Sequence, residues 1–158
     1  MKLLSLGLLT AASIYAQFPN QWAGVNVNFD QYSQNKITGS VAYAKRITDS
    51  AHPIYSYNSI NLLSVQKNPF RLMTTPESGL AIHVGTFNMF EVFILGAAGV
   101  SMAGDTNGTN VGFAGSGGGF AQTKLSGNVT IGPIFRVSKT TISDTQWSVG
   151  IVLGYKAD

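Results

Sequence analysis

Thr145-Gln146-Trp147-Ser148-Val149-Gly150-Ile151-Val152-Leu153-Gly154-Tyr155 is the stretch from which the rest of the chain can be read. Every second residue from Trp147 falls on one face: Trp147, Val149, Ile151, Leu153 and Tyr155. The opposite face carries Gln146, Ser148, Gly150, Val152 and Gly154. Alternation of this kind marks a β-strand with one apolar face. An aromatic with a polar handle stands at each end of that face, and the middle is aliphatic. From Trp147 to Tyr155 the strand spans roughly 26 Å at about 3.3 Å per residue.

The same two-faced pattern recurs upstream. In 22–32, Ala23, Val25, Val27 and Phe29 alternate with Gly24, Asn26, Asn28 and Asp30. In 36–47, Ile37, Gly39, Val41 and Tyr43 alternate with Thr38, Ser40, Ala42, Ala44 and Arg46. The run 54–66 opens on Tyr55 and Tyr57 and alternates less cleanly. Residues 70–75 read as a short strand or an ordered loop. The breakers Asn68-Pro69 and Pro76-Glu77-Ser78-Gly79 bracket them, making 66–79 the one candidate long loop. Strand patterns follow at 80–87, 89–103, 110–124 and 129–137. The apolar content of 89–103 lies on both faces, which leaves a helix open there, though its β-branched valines favour a strand. Asn88 and residues 104–108 read as turns. Pro133 argues against a fully paired strand at its position. The count is about eight strands in a single all-β domain, expected to be an antiparallel up-and-down barrel.

The first residues read as a secretory leader. Lys2 precedes a short apolar run, and Ala16 offers a small residue at a cut before Gln17, so 1–16 is the expected signal peptide and 17–158 the barrel. The apolar run is shorter than the roughly 20 residues a spanning helix needs. Without Lys2, ten basic residues become nine against seven acidic ones, a net charge of about +2. Beyond Lys45-Arg46 there is no basic run, which argues against a nucleic-acid partner. The chain has no cysteine, so pairing and packing must hold it together without disulfides.

Charged residues make up 11% of the chain, against about 25% in an average soluble domain. Gly, Ser, Thr and Asn take their place. Such a composition suits an outer wall facing lipid around a small polar lumen better than a water-exposed surface. With a strand tilt of about 40°, the Trp147–Tyr155 span projects to roughly 20 Å, near the apolar band of about 25 Å of a membrane barrel. Asp30, Arg46, His83, Glu91 and Arg136 fall on the polar parity of their strands and form the expected lumen cluster. Trp22, Tyr43, Tyr55, Trp147 and Tyr155 lie near run ends, where interfacial girdles would place them.

The leader, the run count and the closing Trp147–Tyr155 pattern together resemble the small bacterial outer-membrane β-barrels of the OmpA/OmpX or opacity-protein type. The resemblance implies a Gram-negative outer membrane, membrane lipid as surroundings and a barrel-insertion machinery that reads Val149, Ile151, Leu153 and the aromatic Tyr155. Members of that class typically end on the aromatic, whereas here Lys156-Ala157-Asp158 follow. A structural or narrow-channel role is the expectation. The alternative is a soluble exported lipocalin-like barrel, with Val25, Val27, Val149, Ile151 and Leu153 lining an apolar pocket.

Chemistry is sparsely signalled. Neither cofactor nor metal is expected, since His52 and His83 have no cysteine or carboxylate at ligand spacing. An outer-membrane hydrolase or acyltransferase would need a nucleophile, a base and an orienting acid. His83 and Glu91 could meet across a turn at Asn88, but no nucleophile elbow accompanies them, and a satisfied polar pair is the plainer reading. Gly115-Ser116-Gly117-Gly118-Gly119 lacks the lysine and the strand-to-helix context of a phosphate loop.

Overall fold

The structure, a computed structural model, describes residues 20–30, 37–67, 70–105, 108–143 and 145–157. The side chains of 28–30, 37, 38, 63–67, 70, 71 and 105 lie outside that description, as does the expected leader at 1–16. Eight antiparallel strands run in chain order: β1 (Gln21–Asp30), β2 (Ile37–Arg46), β3 (Ile54–Lys67), β4 (Phe70–Phe87), β5 (Phe90–Asp105), β6 (Gly108–Ser126), β7 (Val129–Thr140) and β8 (Gln146–Ala157). Each pairs with its neighbours, and β1 pairs with β8 to close the barrel. At the seam Gln21 lies opposite Ala157, Val25 opposite Leu153 and Asp30 opposite Ser148. Closure leaves no sheet edge at the seam and satisfies the ladder within the wall.

Period two decides what lies inside. Trp22, Asn26, Ser40, Ala42, Tyr57, Asn61, Glu77, Phe93, Phe120, Arg136 and Val152 are buried within the barrel. Val25, Val27, Val41, Ile60, Leu80, Ile94, Phe135, Val149, Ile151 and Leu153 are exposed on its outer wall. The valines and aliphatics of β1 and β8 thus face outward, which overturns the lipocalin-like arrangement with those residues lining a pocket.

Several local expectations change. Residues 66–79 are not a long loop: β3 pairs directly with β4 from Lys67 opposite Phe70 down to Ile54 opposite Ile82. The strand runs through Pro76 because the ladder to β5 lapses at residues 75 and 76 and resumes at Glu77 opposite Gly99. A missing N–H is tolerated where no partner asks for it. Pro133 is accommodated likewise. It lies opposite Ile151 of β8, while the β6 ladder skips from Ile134 to Ile131. Residues 89–103 are strand, not helix. Phe87 pairs with Phe90 across a two-residue turn in which Asn88 takes a left-handed φ of 53°. Ser126 pairs with Val129 across Gly127, also left-handed at 53°.

Candidate functional site

The interior is filled in layers, and each layer follows from which inward position a strand offers. Towards the end where β1 begins and β8 finishes lies an aromatic stack. Trp22 and Phe120 stack with ring centroids 5.5 Å apart, and Phe93 and Phe120 are nearly parallel at 4.7 Å. Tyr55 meets Phe93 edge-on at 5.9 Å, and His83 does so at 5.2 Å. His52, in the β2–β3 connection, stacks near His83 at 6.4 Å.

Trp22 and Tyr55 are therefore not interfacial aromatics. Trp22 is 4% exposed and Tyr55 2%. The indole of Trp22 occupies space that inward-facing Gly24 and Gly154 leave, where any Cβ would collide with it. Tyr55 shares the inward parity of Tyr57, Ser59 and Asn61. The other three aromatics of that group, Tyr43, Trp147 and Tyr155, are exposed on the outer wall. Tyr43 and Tyr155 both lie opposite Ala23, one on each side of β1.

Next to the stack is a charged layer. Arg136 on β7 is 2% exposed, and its guanidinium forms a buried ion pair with Glu77 on β4. The same guanidinium donates to Asn61 Oδ1 and to Ser116 Oγ at 2.7 Å. Ser116 donates to Glu77 Oε2 at 2.7 Å, and Asn61 Nδ2 donates to the Thr75 carbonyl at 3.0 Å. Four strands, β3, β4, β6 and β7, are tied across the lumen by this one cluster. A buried charge is tolerable when its counter-charge and hydrogen bonds are supplied together.

A second ion pair lies in the mouth where β1 begins and β8 finishes. Lys156 Nζ is 2.5 Å from Glu91 Oε2. Gln122 Nε2 also donates to that oxygen at 3.3 Å, and Gln122 Oε1 accepts from Thr130 Oγ1 at 3.1 Å. Lys156, one residue past Tyr155, therefore points inward and stays in the strand, opposite Trp22. Arg46 stands apart at the rim, where it pairs with Asp49 at 2.9 Å and donates to the Thr48 carbonyl.

Of the five residues expected to share the lumen, the structure sends the four whose side chains it describes to different places. Arg136 sits in the charged layer, Glu91 in the mouth with Lys156, His83 against the aromatic stack and Arg46 at the rim. The side chain of Asp30 lies outside the described residues. Arg136 is joined by a partner the sequence reading placed in a loop, Glu77. A parity count carried back from His83 through Ala81 and Gly79 would have put Glu77 inside. Among the described residues no three His, Cys, Asp or Glu side chains gather as a metal site.

The remaining void in the aromatic layer, between Trp22, Ala44, Tyr55, Ala81, Phe93, Phe120 and Gln122, is about 10 Å³. That is room for one water at most.

No protein-family model matches the chain, and no curated protein matches it. Among solved structures it resembles Neisserial surface protein A, at 8% identity over 86% of this chain and 94% of that one, with a TM-score of 0.59. It also resembles Ail, the attachment invasion locus protein of Yersinia pestis, at 12% identity over 86% and 93%, with a TM-score of 0.47. A de novo designed transmembrane β-barrel gives 13% identity, 87% and 98% coverage and a TM-score of 0.42. At such low identity the likeness to the Neisserial protein speaks for the fold, a small eight-stranded barrel.

Proposed function

We propose that the chain is a bacterial outer-membrane β-barrel with a structural role, its lumen closed to solutes by packed side chains. The observation that carries this reading is the sorting of residues by parity. Aliphatic side chains from all around the barrel point outward, while the Arg136–Glu77 and Lys156–Glu91 pairs, Asn26, Asn61 and hydroxyls such as Ser40, Ser101 and Thr130 point in. A soluble barrel needs the reverse, because a contiguous apolar wall larger than the few hundred Å² a soluble monomer exposes would otherwise meet water. Some outward polar groups satisfy one another: Ser78 donates to Asn58 at 2.8 Å on the outer wall, which suits a lipid-facing surface.

Membrane lipid is then the chief partner of the outer wall. Export through the leader at 1–16 and insertion guided by the closing strand through Tyr155 complete the proposal. No catalytic role is proposed, because Glu91, the acid that would orient His83, has its oxygen engaged by Lys156 and Gln122. A narrow channel is the lesser reading, since the aromatic and charged layers both obstruct the axis.

Expression in a Gram-negative host, fractionation and a gel of heated against unheated samples test this reading. The protein is expected in the outer-membrane fraction, with the unheated barrel migrating differently from the heated chain. Recovery in the soluble periplasm with identical migration would overturn it.

A further inference from the structure

We infer that the outer wall carries a docking groove for an anionic lipid, built on β6 and closed at one end by Lys139. This rests on the membrane reading of the barrel. Outward positions of β6 are occupied by Gly115, Gly117 and Gly119, and their β5 neighbours include Gly96 and Ala98. On the other side the groove is walled by Phe135 and Val137 of β7. Gly115–Gly118, Phe135, Val137 and Lys139 border an open, shallow groove of about 420 Å³. It is by far larger than the 10 Å³ void in the aromatic layer of the lumen.

Of these outward glycines, barrel closure accounts only for Gly119, where a Cβ would sit 2.9 Å from the Phe93 carbonyl. An added Cβ at inward Gly79, Gly118 or Gly132 would strike the neighbouring backbone, so those positions need glycine to fold. At Gly96 a Cβ would meet nothing within 4 Å, and at Gly115 and Gly117 its nearest neighbours are at 3.9 and 3.8 Å. Side chains would fit there and would fill the groove. Gly96, Gly115 and Gly117, which leave it empty, are positions the fold does not force to be small.

Charge and depth identify the occupant. Val137 lies opposite Trp147, the aromatic that marks one end of the outward face of β8, and Lys139 is one outward position further towards the barrel end where β8 begins. Its ammonium therefore stands at headgroup level, and among the described residues no carboxylate pairs with it. From Gly115, opposite Lys139, to Gly119, opposite Phe135, the floor runs roughly 13 Å along the strand. That accommodates one acyl chain lying against bare backbone, with its phosphate at the lysine. The floor is about 10 Å across between the flanking strands, the width of one hydrocarbon chain and its contacts. The convex wall of a second copy would not enter it. A two-fold contact there would also set Lys139 against its own equivalent at the same headgroup level.

The test reconstitutes the full-length protein in vesicles of equal phosphatidylglycerol and phosphatidylcholine. Flotation first establishes insertion, and native mass spectrometry then counts co-purifying lipid. Wild type is expected to retain phosphatidylglycerol in preference to phosphatidylcholine. Gly117→Leu, which fills the groove at a position with open space, is expected to lose the retained lipid while floating and shifting on gels as wild type does. Lys139→Gln is expected to lower the phosphatidylglycerol preference about fivefold while still holding an acyl chain. Equal retention of both lipids by wild type and Gly117→Leu overturns the groove but leaves the membrane reading standing. A dimer that Gly117→Leu abolishes overturns it in favour of a second copy. Failure of wild type to float overturns both.

Discussion

Glu77 and Arg136 show how much a single inward position can carry. Their ion pair sits with almost no exposure on either side chain, and four further hydrogen bonds with Asn61 and Ser116 hold it in place. Removing one partner strands the other charge in a dry interior. Glu77→Leu alone or Arg136→Met alone is therefore expected to destabilise the barrel by about 3–5 kcal/mol, whereas the double variant is expected to recover most of that loss. Urea unfolding in detergent micelles measures it, and additive single losses would argue against a coupled pair. Gly132 supplies a second contrast. A Cβ there would run into the Ala121 carbonyl, while one at Gly96 meets open space. Gly132→Ala should thus lower the unfolding midpoint clearly and Gly96→Ala hardly at all.

The residue scale is also where the sequence was least legible. Pro76-Glu77-Ser78-Gly79 has turn composition, and composition outweighed the parity that runs unbroken through Met73, Thr75, Glu77, Gly79, Ala81 and His83. Trp22 and Tyr55 were placed at interfaces because aromatics near strand ends often lie there, although Trp22 shares its face with Gly24 and Asn26. Alternation carried the information, and residue type was the poorer guide.

Elements were read more securely, for a physical reason. A strand with one apolar face declares itself every second residue, and β1, β2, β5, β7 and β8 emerge within a few residues of their expected bounds. β6 also lies within two residues of its expected bounds, and only β4 slips, where the turn-like Pro76–Gly79 interrupts the pattern. The prolines of β4 and β7 are absorbed because each lies where a ladder lapses. The β4–β5 hairpin depends on Asn88 adopting a left-handed backbone. Asn88→Gly should be neutral or stabilising, while Asn88→Ile is expected to cost about 1–2 kcal/mol, since β-branched residues resist that conformation. The unfolding midpoints of the two variants, side by side, check this. The closing strand ends in a latch rather than at its aromatic, because Lys156 turns inward to Glu91. Lys156→Met is expected to destabilise less than Arg136→Met, since the mouth pair is partly solvated and its surviving partner can be hydrated.

For the whole molecule, composition and alternation together pointed to an eight-stranded barrel, but they could not orient it. Period two is the same whether the apolar face looks in or out, and the scarcity of charge was the only guide. Side-chain packing settles the geometry: the stack of Trp22, Phe93 and Phe120 and the Arg136 cluster fill the inside. A barrel filled in this way is expected to show no stepwise conductance for solutes in planar bilayers, and Phe120→Ala alone should not open it, because the charged layer still spans the lumen. Reproducible wild-type channel steps would favour the narrow-channel reading. The chain's two tryptophans lie on opposite sides of the wall, Trp22 inside and Trp147 outside. Reconstituted in vesicles of brominated lipid, the Trp22→Phe variant, which keeps Trp147, should lose most of its fluorescence to quenching. The Trp147→Phe variant, which keeps Trp22, should be largely spared. Quenching of Trp22 with Trp147 spared, or of neither, would contradict a membrane barrel with its apolar face turned outward.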